Sequence, residues 1–240
     1  MRKFVLLTIA ISLIAVVAIF GRQNNRVVEA QSATSSAQVS AAESPSVADG
    51  LVQRLENSWP WYVARASGML AAVSLIILML SGIGMITGRT FGFLEPITAW
   101  ASHRALGIVF GLAVLLHIGS LMFDKFVPFG LTQLLVPFSS DFRPVSLFGF
   151  SLGSLYVALG VLALYLTVAI IITSLVWINK KPKIWKVTHI LSYLVIIFTF
   201  VHALAIGSDL SVAWMRWLWI GLGLLILYAS LMRFRRAFTV

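Results

Sequence analysis

The chain has 240 residues, 60% of them hydrophobic and 11% charged, and the apolar residues gather in runs too long for a soluble core, which excludes a soluble globular fold. The formal charge of +10 does not point to nucleic acid, because the basic residues sit in short clusters beside apolar runs and not along a polar face. Cysteine is absent, which excludes disulfides, iron–sulfur ligation, thioether-linked cofactors and any Cys-based zinc site or nucleophile.

Six apolar stretches follow in chain order, at 4–20, 61–88, 102–123, 147–178, 184–206 and 212–232. Each approaches or exceeds the ~18–20 residues that cross a ~30 Å hydrocarbon layer as a helix. The expected fold is an all-α, polytopic membrane bundle of six transmembrane helices, or five if the first segment is removed. Residues 1–21, Met1-Arg2-Lys3 followed by an apolar run, read as a signal anchor, with a cleaved signal peptide as the alternative. Residues 22–58 include SATSSAQVSAAESPSVADG and bury too little apolar surface to offset chain entropy, so a disordered extracytoplasmic linker is expected. Residues 59–236 form the membrane domain. Within it FVPFGLTQLLVPF (126–138), bracketed by Pro128 and Pro137, is too short to span and is expected in the outer interface or folded over the outer face.

If every stretch spans, Arg2, Lys3, Arg89, Arg104, Lys180, Lys181, Lys183, Lys186, Arg233, Arg235 and Arg236 share one side. That side is cytoplasmic by the positive-inside rule, which puts both termini in the cytoplasm and the chain in the inner (plasma) membrane, in contact with lipid. Every acidic residue except Glu95 falls on the other side. Trp59, Trp61, Trp214 and Trp217 would form an outer aromatic belt, and Trp100, Trp177 and Trp185 an inner one.

All four histidines lie on two of these stretches: His103 and His117 on the third, His189 and His202 on the fifth. One helix separates the two carriers, so both run from inside to outside, and His103 falls level with His189 and His117 with His202. Fourteen residues between His103 and His117 give ~21 Å of rise and a rotation only ~40° short of whole turns. The thirteen residues from His189 to His202 give ~19.5 Å but leave the two ~140° apart on an ideal helix, so that helix is expected to be distorted. A single intramembrane histidine is as well explained by a hydrogen bond between helices, but four at paired depths point to axial ligation of two flat cofactors. Haem suits such a cage, because its iron takes one imidazole above the porphyrin and one below. Two ligands per level, without a nearby carboxylate, suit other metals poorly.

Between His103 and His117, Gly107 and Gly111 would let a porphyrin approach the backbone, although this spacing also serves helix packing. Phe110 lies midway, as a core residue or as a filler between two cofactors. Anionic propionates want cations near each surface. Arg104, Lys183 and Lys186 qualify inside, and Arg65 and Arg216 outside. Arg65 lies some four residues into the second stretch, where an unpaired guanidinium is costly, so a functional partner is expected.

The strings WYVARASG (61–68), SHRALG leading to His117, and WKVTHILSY leading to His202 together resemble the ferric reductase-like transmembrane domain family, which includes NADPH oxidases, metalloreductases and the membrane subunit of the periplasmic methionine-sulfoxide reductase system. The resemblance covers about 61–206. It implies two haem b groups, the inner on His103 and His189 and the outer on His117 and His202, with Arg65 near the outer one where an acceptor is reduced. In the methionine-sulfoxide reductase subunits arginine usually takes the place of His103, so this chain is more similar to the two-haem oxidases and ferric reductases. After Met232 only RFRRAFTV follows, without a glycine-rich dinucleotide fingerprint. FAD or FMN is therefore expected only on a partner, a flavin/NAD(P)H reductase, unless membrane quinol is the donor. The acceptor would be ferric iron, oxygen or an extracytoplasmic redox protein. The rivals are a quinol-oxidising haem b subunit of a periplasmic reductase system and a haem-free membrane scaffold.

Overall fold

The structure is a computed structural model and describes residues 47–88, 95–125, 127, 129–142, 146, 147, 150, 151 and 154–237. The first apolar stretch and residues 22–46 of the expected linker lie outside them. The chain divides into two units, Met1–Gln53 and Arg54–Val240. Of the first, residues 47–53 are helical; the second carries all that follows.

The elements in order are α1 (Val47–Ile86), α2 (Pro96–Leu121), a short α3 (Leu131–Leu135), a two-residue antiparallel ladder of β1 (Ser146–Leu147) with β2 (Phe150–Ser151), α4 (Leu155–Val176), α5 (Pro182–Ile190), α6 (Ser192–Ile206), a 3₁₀ turn (Ser208–Ser211) and α7 (Ala213–Ala237). Among the described residues five helical segments are long and apolar enough to cross a membrane: Ser58–Ile86, Pro96–Leu121, Leu155–Val176, Pro182–Ile206 and Ala213–Arg235. The fold is all-α and multi-pass.

Hydropathy locates the spans, and capping chemistry places their ends. The fourth stretch was expected from residue 147, yet α4 starts only at Leu155. Ser154 caps it, its hydroxyl accepting from the Val157 N–H at 3.2 Å. At the other end of the chain's described part, α1 begins at Val47, so residues 47–58 of the stretch expected to be unstructured are helical. Leu51, Val52 and Leu55 stand there at helical spacing among Gln53, Arg54 and Glu56, all good helix formers. Pro182 at the first position of α5 is pre-set for a helix start.

The expected distortion of the fifth stretch falls at Leu191, between α5 and α6. There Leu191 N–H reaches the Thr188 carbonyl at 3.1 Å and Leu194 N–H the Leu191 carbonyl at 2.9 Å. These are i to i+3 bonds of 3₁₀ type, which turn ~20° more per residue than an α-helix and so add rotation in the direction that His202 needs.

The core joins α1, α2, α4, α6 and α7 through Ala71, Leu75, Ile76, Met79, Phe110, Ala113, Ala163, Val195, Ile196, Leu204, Trp219 and Ile226. Helix α4 packs along α6 and also meets α5 and α2. Small residues at Ala113 and Ala163 bring backbones close. Outward faces are apolar too, with Ile108, Leu112, Leu115 and Leu116 exposed on α2, as lipid contact requires. Segment 129–140 goes further than the expected surface position: the Tyr165 hydroxyl donates to the Leu135 carbonyl, and Tyr165 lies ten residues, ~15 Å, into α4. Ser154 N–H meets the Ser140 carbonyl at 2.6 Å. The segment therefore runs beside the first half of α4, and the phenol satisfies a carbonyl that lipid would leave bare.

Candidate functional site

The histidines meet as two pairs. His103 of α2 faces His189 of α5, ring centroids 6.2 Å apart and planes at 54°. His117 of α2 and His202 of α6 are within electrostatic range of each other. Phe110, midway along α2 between its two histidines, is 7% exposed and belongs to the core that separates the two levels.

Behind each ring stands a hydrogen-bond partner for Nδ1. His117 Nδ1 is 2.8 Å from the Ala64 carbonyl, and His202 Nδ1 is 2.8 Å from the Tyr156 carbonyl. A carbonyl only accepts, so both Nδ1 atoms carry the proton and both Nε2 atoms keep a lone pair. His103 Nδ1 lies 2.8 Å from Ser81 Oγ, whose own proton goes to the Leu78 carbonyl at 3.1 Å. His189 Nδ1 lies 3.4 Å from Ser174 Oγ, which also takes the Trp185 indole N–H at 3.2 Å. An Nδ1–H tied to an oxygen acceptor behind the ring is the support that metal-ligating imidazoles use.

Two glycines make room for the outer rings. A Cβ on Gly160 of α4 would lie 2.7 Å from His202 Nδ1, and one on Gly68 of α1 would lie 3.0 Å from His117 Nδ1. The inner counterpart is milder, a Cβ on Gly82 meeting the His103 ring at 3.4 Å. Gly68 closes the WYVARASG string, but Gly82 and Gly160 do not stand out in the sequence, and neither do Ser81, Ser174 or the two carbonyls. The available signal was that each lies on α1 or α4, the helices flanking the histidine carriers.

The other expected site residues are distributed as follows. Arg65 of α1 has found a partner, Asp209 in the 3₁₀ turn. Its Nε donates to Oδ2 at 3.2 Å, its Nη2 pairs with Oδ1, and the guanidinium lies over the Trp61 ring at 4.1 Å. Arg65 follows Ala64, whose carbonyl holds His117. Arg216 is half-buried in the first turn of α7, its N–H bound to the Val212 carbonyl at 3.0 Å. Arg104 is exposed, 5.7 Å from the Trp100 ring. Gly111 approaches Ile171 of α4, whose Cδ1 would be 3.0 Å from an added Cβ, a helix-packing contact; beside Gly107 there is open space. Arg233 of α7, which the sequence marks only as a topology charge, donates to the Tyr193 hydroxyl at 2.6 Å.

Among the described residues no group of three or more His, Cys, Asp or Glu side chains is placed to hold a metal ion. A site with two imidazoles suits a metal whose remaining ligands come with a macrocycle.

These features define a class: a multi-pass helical membrane protein with two histidine pairs, carried on the second and fourth of its membrane-length segments. Within that class the family described as ferric reductase like transmembrane component matches residues 67–200, more than half of the chain, and the chain belongs to that family. Membership points to transmembrane electron transfer. The match contains His103, His117 and His189; Arg65 and His202 lie just outside it. No curated protein and no solved structure matches the chain.

Proposed function

We propose that this chain is a two-haem membrane cytochrome b that moves electrons from a cytoplasmic flavin/NAD(P)H donor protein to an extracytoplasmic acceptor, ferric iron, oxygen or a redox protein. His103 and His189 would hold the inner haem, His117 and His202 the outer. Haem, when bound, supplies a one-electron couple at each level. The observation that carries the reading is the inner pair's spacing combined with its polarity. Two metal–imidazole bonds put ligating nitrogens about 4 Å apart, with each ring centre about 1 Å behind its nitrogen, for a total of ~6 Å; the centroids are 6.2 Å apart. The carbonyls behind His117 and His202 hold their protons on Nδ1 and leave Nε2 for the metal, and Ser81 and Ser174 stand behind Nδ1 of the inner pair.

The chain's own contribution is to fix ligand depth, tautomer and surroundings. Arg65, held by Asp209 and Trp61, supplies a fixed cation beside the outer pair, where it would favour an anionic acceptor or an incoming electron. The test is spectroscopic. Purified protein should show a Soret band, a dithionite-reduced b-type α band and two haems per chain. Protein without a Soret band would sink this reading and favour a haem-free scaffold.

A second reading, quinol as donor, has an observation of its own. A cavity of about 240 Å³ opens between the last turns of α1 and α7, lined by Leu80, Ile83, Gly84, Thr87, Leu225, Tyr228, Ala229, Met232 and Arg233. It is apolar with a phenol, a hydroxyl and a guanidinium at hand, as a lipid-soluble ring with two oxygens would need, and Arg233 reaches Tyr193 on the helix that follows His189. Reduction by a quinol analogue and not by any flavin reductase would decide for it, and Tyr228→Phe should then raise the quinol KM.

A further inference from the structure

The two histidine pairs are alike in their ligands and differ in what stands behind them. Backbone carbonyls back the outer pair, at Ala64 and Tyr156, each 2.8 Å from Nδ1. Side-chain hydroxyls back the inner pair, Ser81 at 2.8 Å and Ser174 at 3.4 Å. A carbonyl belongs to every residue and survives substitution; a hydroxyl depends on the side chain. Ser81 gives its proton to the Leu78 carbonyl, so its oxygen is left to accept from His103. The indole N–H is a donor only, so Ser174 accepts from Trp185, and with Nε2 of His189 on the metal it accepts from that ring's Nδ1–H as well, at longer range. Trp185 also lies against the His189 ring, centroids 5.4 Å apart.

We propose that Ser81 and Ser174 are positioning residues of the inner pair, setting the tautomer and electron density of His103 and His189 and so holding the inner haem's potential apart from the outer one's. The proposal rests on the haem reading above. An acceptor behind Nδ1 makes the imidazole a stronger electron donor and favours the oxidised metal. An amide carbonyl accepts more strongly than a hydroxyl, and a hydroxyl shared with an indole more weakly still. On this account the weaker acceptors raise the inner centre's potential, and loss of a hydroxyl raises it further. Ser81, at the shorter distance, carries the larger share.

The test is a redox titration of the α band of the purified holoprotein, resolved into two components that are assigned with His103→Ala and His117→Ala. Ser81→Ala should shift the inner component to higher potential and weaken inner haem retention about 10-fold, with the outer component unchanged as the control for folding. Ser174→Ala should shift it the same way by less. Ser81→Thr, which keeps the hydroxyl, should restore the wild-type titration. An inner component unmoved in both alanine variants, a shift shared equally by the outer component, or a threonine variant that behaves like alanine would each overturn the proposal. A wild-type chain without two titrating components would overturn the haem reading and this inference with it, and would be seen before any serine is changed.

Discussion

At the scale of single residues, the space around the imidazoles is graded by the glycines that face them. An added methyl at Gly160 would sit 2.7 Å from a ring nitrogen that is also tied to the Tyr156 carbonyl, so ring or helix must shift; at Gly68 the gap is 3.0 Å, and at Gly82 it is 3.4 Å, ordinary contact. Alanine is the better helix former by up to ~1 kcal/mol, so none of these changes should unfold the bundle. Gly160→Ala is therefore expected to lose the outer haem, Gly68→Ala to lower its occupancy, and Gly82→Ala to leave both haems in place, as haem per chain would read out. Equal occupancy in all three would show that the rings have more freedom than the structure gives them. His117→Ala belongs to the same scale: it should remove one haem and leave the inner one, and survival of both would break the pairing. The histidines were legible in the sequence because each is a rare polar residue inside an apolar run. Their supports were not. A carbonyl carries no residue identity, so the backbone supports at Ala64 and Tyr156 leave no mark; Gly68 lies in the quoted WYVARASG string without its contact being evident, and Gly160 is hidden among 17 glycines until the facing helix is known.

At the scale of elements, the misfit of thirteen residues between His189 and His202 was legible as arithmetic, and the structure answers it with the break at Leu191. The arithmetic fixes that a distortion is needed and leaves open where it falls. A second link between elements is the ion pair of Arg65 and Asp209, which ties α1 to the turn after α6 and so joins the Ala64 support of His117 to the helix of His202. The sequence announced half of it, an arginine too deep to stand alone, and gave no means of choosing among the acids on the outer side. Exposures of 34% and 20%, where that surface meets interfacial water, put such a pair near ~1 kcal/mol or below and not at the several kcal/mol of a dry one. Asp209→Asn should therefore lower the melting temperature by no more than ~2–4 °C and alter the outer haem's band alone. A loss far beyond that, or a change confined to the inner band, would show that the pair is sealed from water or serves the other level.

At the scale of the whole molecule, the membrane made the fold legible, because a lipid-facing helix must be apolar along its whole length and all the way round. That constraint marks spans clearly and says little of caps, so α4 begins later than its hydropathy, and segment 129–140 runs along α4 because Tyr165 offers a donor that no composition rule foresees. Direction across the membrane is the remaining inference, and it rests on charge: Lys180 and Lys181 stand between α4 and α5 and Lys183 and Lys186 in the first turns of α5, while the turn holding Asp209 has no basic residue. The proposed route, from His103 and His189 to His117 and His202, requires the first pair on the cytoplasmic side. The absence of native cysteine allows a clean test, since one introduced thiol is then the only one. Lys181→Cys, exposed in the loop before α5, should react with a membrane-impermeant maleimide in inverted vesicles and not in intact cells. Ser211→Cys, exposed in the 3₁₀ turn beyond α6, should do the reverse. The opposite pattern would invert the bundle and put the donor at the histidine pair assigned here to the acceptor, whereas labelling of both from one side would mean that α5 and α6 together do not span.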